Sequence, residues 1–342
     1  MGVAVLLAGP VHGEATPSEA AANDVAPVAF AQTAAAAAPE GVLDAQVLRK
    51  GQWMVSYRYS RAWLKGNRSG THDKSEQRAL GGQSPPFSVV PRKRSVQTHL
   101  FGLGWAPFSR LTLIARLPLV LLEQGNDPAS GARYDTHTEG IGDLHLMALI
   151  PFMKKGDESL RINLGFRAPT GSIRDRESVP GGPDPRFGYP MQPGRGSWGF
   201  IPGLTYRGHW QALSWGLQYK NVFWLNKNSL GYRPGTRYAA TTWLAWSWAD
   251  WMSTSFRLGW DKWGNVHGRD RELGHYPYSS PTQDPKRQGG QRVDLAPGVN
   301  FRIPCCGGPQ LGFEAVFPVW QDLSGPQLRN RWMLHTGLRA AF

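Results

Sequence analysis

Two cysteines are all that the 342-residue sequence contains, and they are neighbours: Cys305 and Cys306 in Pro-Cys-Cys-Gly-Gly. Adjacent thiols cannot complete a metal site alone, and a vicinal disulfide needs a strained ring, so this stretch reads as a turn with two thiols. Long apolar runs are missing too. Beyond residue 48 the longest spans eight residues, 146–153, where a membrane-spanning helix needs roughly 18 or more. A helical span is excluded. Charge is sparse, at 18% of residues, and one-sided, with 38 Lys and Arg against 25 Asp and Glu for a net +13. Residues 1–48 carry no Lys or Arg and are dominated by Ala, Pro and Val. That stretch lacks the basic start of a secretory signal, although residues 3–8 could be an apolar remnant and Ala29-Phe30-Ala31 a cleavage triplet. The expected organisation is a signal-like, low-complexity leader over 1–48, partly or wholly removed, and one barrel domain over 49–342.

What the sequence has in quantity is glycine (41) and tryptophan (15), set in segments where apolar and polar residues alternate. That period of two marks strands with unlike faces. The first segment, 52–64, puts Trp53, Val55, Tyr57 and Tyr59 on one face and Met54, Ser56, Arg58 and Ser60 on the other. Eleven more are expected at 95–105, 111–122, 140–152, 160–168, 197–207, 213–224, 237–247, 252–263, 292–303, 310–320 and 329–342. Their connections alternate short and long: five short ones, and six long ones at 65–94, 123–139, 169–196, 225–236, 264–291 and 321–328. A closed antiparallel barrel of twelve strands with both ends on one side needs five turns there and six loops opposite. The fold class is therefore all-β: a closed antiparallel transmembrane β-barrel of about twelve strands, with short periplasmic turns and long extracellular loops, since lipid tolerates no open sheet edge.

The apolar faces suit lipid. Leu144, Leu146, Ala148 and Ile150 form one uncharged row; Leu160, Ile162, Leu164 and Phe166 form another; and Leu213, Trp215, Leu217 and Tyr219 a third. Trp53, Trp63, Trp105, Trp198, Trp224, Trp260, Trp320 and Trp332 fall near segment ends, where an amphipathic ring sits at a membrane interface. The last strand ends on Phe342, as a C-terminal signal for the outer-membrane barrel assembly machinery would.

Several stretches resemble the outer-membrane transporter family associated with the meta-pathway of phenol degradation. They are GQWMVSYRY at 51–59, GIGDLHL at 140–146, PTGSI at 169–173, YPMQPGRGSW at 189–198 and IPGLTY at 201–206. The resemblance covers roughly residues 50–342, leaves the leader outside, and implies an exported β-barrel while saying little about its solute.

If the apolar face meets lipid, the opposite face meets the lumen. Its expected cations are Arg58, Arg116, Arg161, Arg167, Arg207, Lys220, Arg257, Arg292, Arg302 and Arg339, against Asp143, Asp261, Asp294 and Glu314. Rings of Arg or Lys favour anions in a narrow pore. The competing arrangement is a small barrel filled by Arg–carboxylate pairs that conducts nothing. His99, His145 and His335 are also expected to face inward, without metal-ligand spacing. The basic loop 65–94 would meet lipopolysaccharide phosphates on the outer surface. Nucleic acid is not an expected partner, because the basic residues are dispersed and form no binding module. Nor is catalysis expected. A barrel phospholipase would need a His to activate a Ser, and the sequence holds no His-x-Ser-Asn-Gly stretch and no phosphate-binding glycine loop. No cofactor is implied. The reading is a passive outer-membrane channel for small solutes, aromatic or other anionic compounds favoured, in contact with lipid and lipopolysaccharide. The alternative is a closed structural or adhesive barrel acting through its loops.

Overall fold

The computed structural model describes residues 38–176, 186–273, 275–304 and 308–342. The cleavage triplet, the pair Cys305 and Cys306, and the centre of loop 169–196 lie outside them. The period-two segments form strands: β1 (Trp53–Gly70), β2 (His72–Lys74), β3 (Val89–Phe108), β4 (Leu111–Pro128), β5 (Tyr134–Ile141), β6 (Leu144–Lys155), β7 (Glu158–Ala168), β8 (Gly199–Trp210), β9 (Leu213–Trp224), β10 (Tyr232–Arg233), β11 (Arg237–Ala249), β12 (Met252–Trp263), β13 (His267–Gly268), β14 (Gly290–Arg302) and β15 (Gln310–Ala341). One short α-helix, α1 (Glu76–Leu80), and three 3-10 turns, at Tyr189–Met191, Pro281–Gln283 and Pro285–Arg287, interrupt the described β structure.

β10 and β13 pair only with each other and β2 only with β1; the other strands pair antiparallel with their neighbours from β1 round to β15, and β15 pairs back to β1, so the sheet closes. The seam is fixed by Trp53 N donating to Phe342 O (2.8 Å) and Phe342 N to Trp53 O (3.0 Å). Although β15 is one unbroken 32-residue stretch, it cannot run in one direction. Its first part pairs antiparallel with β14, from Arg302 with Gln310 to Gly290 with Leu323, and its last part antiparallel with β1, from Gly70 with Leu323 to Met54 with Ala341. The chain therefore reverses just beyond Leu323. β5 and β6 share a single crossing beside β4. The wall thus has twelve crossings, an even number as outer-membrane barrels have.

Short turns join the strands at one rim, where Gly156 (φ 57°) and Gln211 (φ 51°) adopt the left-handed backbone of tight hairpins. The long connections gather at the other rim. There the structure differs from expectation: half of 65–94 is strand. β1, β3 and β4 run 18 to 20 residues, past the roughly 9–11 needed to cross a bilayer, because above the membrane both faces are polar and the alternation that marks a strand is lost. The charge of this region is partly self-paired, with Arg68 on Asp73 (2.7 Å) and Lys93 on Asp135 (3.1 Å).

The outward rows are as expected. Leu146, Leu164, Leu217, Phe313 and Leu338 are exposed while the intervening Met147, Asn163, Gln218, Glu314 and Gly337 are buried. Aromatic side chains band the short-turn rim, with Trp53 stacked on Trp105 (5.5 Å) and Trp251 on Phe301 (6.3 Å). An exposed apolar wall this extensive is stable only in lipid. Two expected faces are corrected. Trp224 is buried and its ring N–H donates to Gly235 O (3.1 Å), so it serves the interior and not the interface. His99 lies in the outward row with Phe101 and Leu103, paired with Tyr59 and bonded to the Tyr57 hydroxyl (2.8 Å); a polar residue of the aromatic girdle alternates like a lumen residue.

Candidate functional site: the barrel lumen

The inward row of each strand carries the cations expected there, but the described residues 38–48 also occupy this space, where the leader was expected to lie outside the core. Ala38, Glu40, Val42, Asp44, Ala45 and Leu48 are all buried. This strap enters from the short-turn rim, where Leu48 N donates to Thr112 Oγ1 (3.0 Å). Its backbone carbonyls are satisfied by the wall: Arg207 donates to Ala45 O (2.8 Å) and Gln218 to Leu43 O (2.9 Å). Trp243, turned inward from β11, packs with Ala38, Val42 and Ala45.

Two carboxylates of the strap gather most of the cations. Glu40 pairs with Arg58 (3.3 Å) and Arg339 (3.4 Å). Asp44 pairs with Arg116 and with Lys220 (3.1 Å). Arg257 on β12 is held by Glu314 of β15, across the intervening β14 (3.1 Å), and Arg292 bridges Asp294 (2.8 Å) and Asp261 (3.7 Å). Ions taken from water into such a space are tolerable only when paired. With Glu40 and Asp44 added, the inward set expected from the sequence stands at ten cations against six carboxylates, and Arg237, which donates to Asp261 (2.8 Å), is a further inward cation. Arg161, on β7, is buried, and its Nε and Nη2 meet no hydrogen-bond partner among the described residues. Arg167 donates to His145 Nε2 (2.7 Å) and lies over the Trp224 ring (5.5 Å). Arg302 sits at the short-turn end of β14, against Gly308.

Asp143 has a different role. It sits in the break between β5 and β6 and accepts from the backbone N–H of Gly171 (3.2 Å) and Arg195 (3.1 Å), anchoring the loop after β7. That loop folds into the outer mouth, where Phe187 and Met191 pack on the inward Leu122. Arg186 ties it to the loop after β12 through Asp270 (2.8 Å), and Asp270 N donates to the Tyr189 hydroxyl (3.0 Å). His145 and His335 face inward but are spent on Arg167 and on Ser60 (2.9 Å).

The lumen is thus a basic wall around an acidic strap, narrowed at the outer mouth by a loop. A cavity of about 50 Å³ remains beside the strap, lined by Glu40, Asp44, Arg58, Arg116 and Arg339 among others. Glu40, Asp44 and Trp243 are what sequence reasoning missed. The one available signal was the imbalance itself, since ten inward cations call for counter-charge from outside the wall.

No curated protein matches the sequence. Among solved structures, an outer membrane channel from Pseudomonas putida F1 aligns over 88% of this chain and 99% of its own, with 15% identity and a TM-score of 0.62, and so shares the fold. The translocator domain of the autotransporter NalP from Neisseria meningitidis covers 88% of this chain and 91% of its own, with 12% identity and a TM-score of 0.43. The Ralstonia pickettii toluene transporter TbuX covers 86% and 90%, with 10% identity and a TM-score of 0.40. The wall, its exposed apolar belt and this shared fold are those of a bacterial outer-membrane barrel. Residues 69–263, more than half of the sequence, match the family model described as "Putative MetA-pathway of phenol degradation", and the chain belongs to that family.

Proposed function

We propose that the protein is an outer-membrane channel through which small anionic solutes, aromatic carboxylates and sulfonates among them, diffuse down their gradients. The observation that carries this reading is the surplus of inward cations over carboxylates, eleven against six with Arg237 included, with Arg161 buried and its Nε and Nη2 unpartnered among the described residues. A fixed positive charge in a narrow, lower-dielectric passage lowers the barrier for anions and raises it for cations. Arg161 and Arg167 are the path residues on which the reading rests most, with Arg207 beside them holding the strap through Ala45 O. Arg58, Arg116, Lys220, Arg257, Arg339, Asp143 and Glu314 shape the passage through the contacts described above, and Arg302 lines its short-turn end. Assembly proceeds through the last strand, whose terminal Phe342 stands exposed at the short-turn rim, a surface suited to the barrel assembly machinery. The outer rim meets lipopolysaccharide.

The test is flux of permanently charged aromatic solutes into proteoliposomes. Benzenesulfonate should enter several times faster than trimethylphenylammonium, and Arg161→Ser with Arg167→Ser should narrow that ratio while leaving the barrel folded. Equal entry of the two ions, or a ratio the double substitution leaves untouched, contradicts the reading. A closed barrel acting through its extracellular loops has one observation in its favour, the small cavity left beside the strap. It predicts no flux of either ion.

A further inference from the structure

Residues 38–48 are not part of the barrel wall, yet the wall is shaped to receive them. A side chain at Gly337 would collide with the Glu40 carboxylate, and one at Gly312 would come within 2.7 Å of it. Conversely, a side chain at Gly41 would collide with the Arg257–Glu314 pair and displace it. Glu40 and Asp44 divide four wall cations between them: Arg58 and Arg339, Arg116 and Lys220. Glycine clearances, carbonyl acceptors and two placed carboxylates together make a fitted insert, and what it leaves open is a cavity lined by the same residues.

We propose that this strap is the selectivity-determining constriction of the pore, and that Glu40 and Asp44 are the residues that set its charge. The proposal rests on the channel reading above. A solute that crosses the barrel passes the strap at its narrowest place, where two carboxylates offset four cations and leave a net positive charge of two. Without the two carboxylates the uncancelled charge there doubles. The strap therefore moderates an anion preference that the wall alone would make stronger, and it keeps conductance low by occupying the cross-section.

Two measurements test this, the first independent of conduction. An added Cβ at Gly312 would lie 3.3 Å from Glu40 Cβ, close to disulfide spacing. Glu40→Cys with Gly312→Cys, in a chain carrying Cys305→Ser and Cys306→Ser, should therefore cross-link under mild oxidation, as read by mass spectrometry of the linked peptides. Absence of the link overturns the placement. In planar bilayers under a KCl gradient, Glu40→Gln with Asp44→Asn keeps side-chain volume and should raise the chloride-to-potassium permeability ratio about two- to fivefold. A chain lacking residues 38–47 should conduct in larger steps. A cross-linked strap whose neutralised variant keeps the parent's reversal potential overturns the selectivity role while leaving the channel reading intact. A strap that cross-links in a barrel that stays silent in every variant, the shortened one included, overturns the channel reading and the selectivity role together.

Discussion

Gly337 stands opposite Glu40 with no room for a Cβ, and that single clearance ties a wall strand to a segment far away in sequence. Gly337→Val would push the Glu40 carboxylate off its partners Arg58 and Arg339. Overpacking of this kind costs ~1–3 kcal/mol, so the midpoint of denaturant unfolding in micelles should fall measurably; an unchanged midpoint would mean that Glu40 does not occupy that site. On the outer face the sign of the argument reverses. Leu146 is exposed at 43%, normal for lipid and costly for water. A charge near the bilayer midplane costs ~2–4 kcal/mol in such barrels, so Leu146→Arg should destabilise the protein in lipid vesicles. A soluble barrel would instead tolerate or welcome it. Residue identity was legible where one face meets lipid, as at Leu146, Leu164 and Leu217. It was misleading at His99, where a polar girdle residue mimics the lumen row, and at Trp224, whose position near a strand end fits an interface ring although its N–H is needed inside.

At the scale of elements, alternation and connection length were enough to lay out the twelve crossings and the side on which the loops lie. They failed at the upper reaches of β1, β3 and β4, where both faces see water and period two disappears, and at residues 38–48, which pair with no strand and so carry no period at all. The reversal within β15 was legible as two segments separated by 321–328. The structure makes it almost wholly extended and locks it with reciprocal bonds, Gln321 Nε2 to Asn330 O (2.8 Å) and Asn330 N to Gln321 Oε1 (2.9 Å), both residues buried. Gln321→Ala would leave a buried amide without its acceptor, at a cost of ~1–3 kcal/mol. Amide exchange at Asn330 and its neighbours should quicken while the remaining strands keep their protection. Unchanged exchange there would show that the side chain does not hold the hairpin.

For the molecule as a whole, the sequence charge of +13 is distributed by purpose. The belt is nearly free of it, the outer rim pairs much of it, and the lumen holds a surplus that the strap partly cancels. The fold and the inward wall could be read from the chain because lipid imposes a strict rule on one face of every strand, and the other face is then known by elimination. What fills the enclosed space follows no such rule, so Glu40, Asp44 and the loop carrying Phe187 and Met191 become visible only in three dimensions. The account turns on whether that enclosed, basic space lets ions through. Single-channel recording of the full chain in a planar bilayer across a KCl gradient reads this directly. The account predicts small discrete steps with a reversal potential displaced toward that of chloride; a reversal potential displaced toward potassium, or a folded barrel that gives no steps, would contradict it.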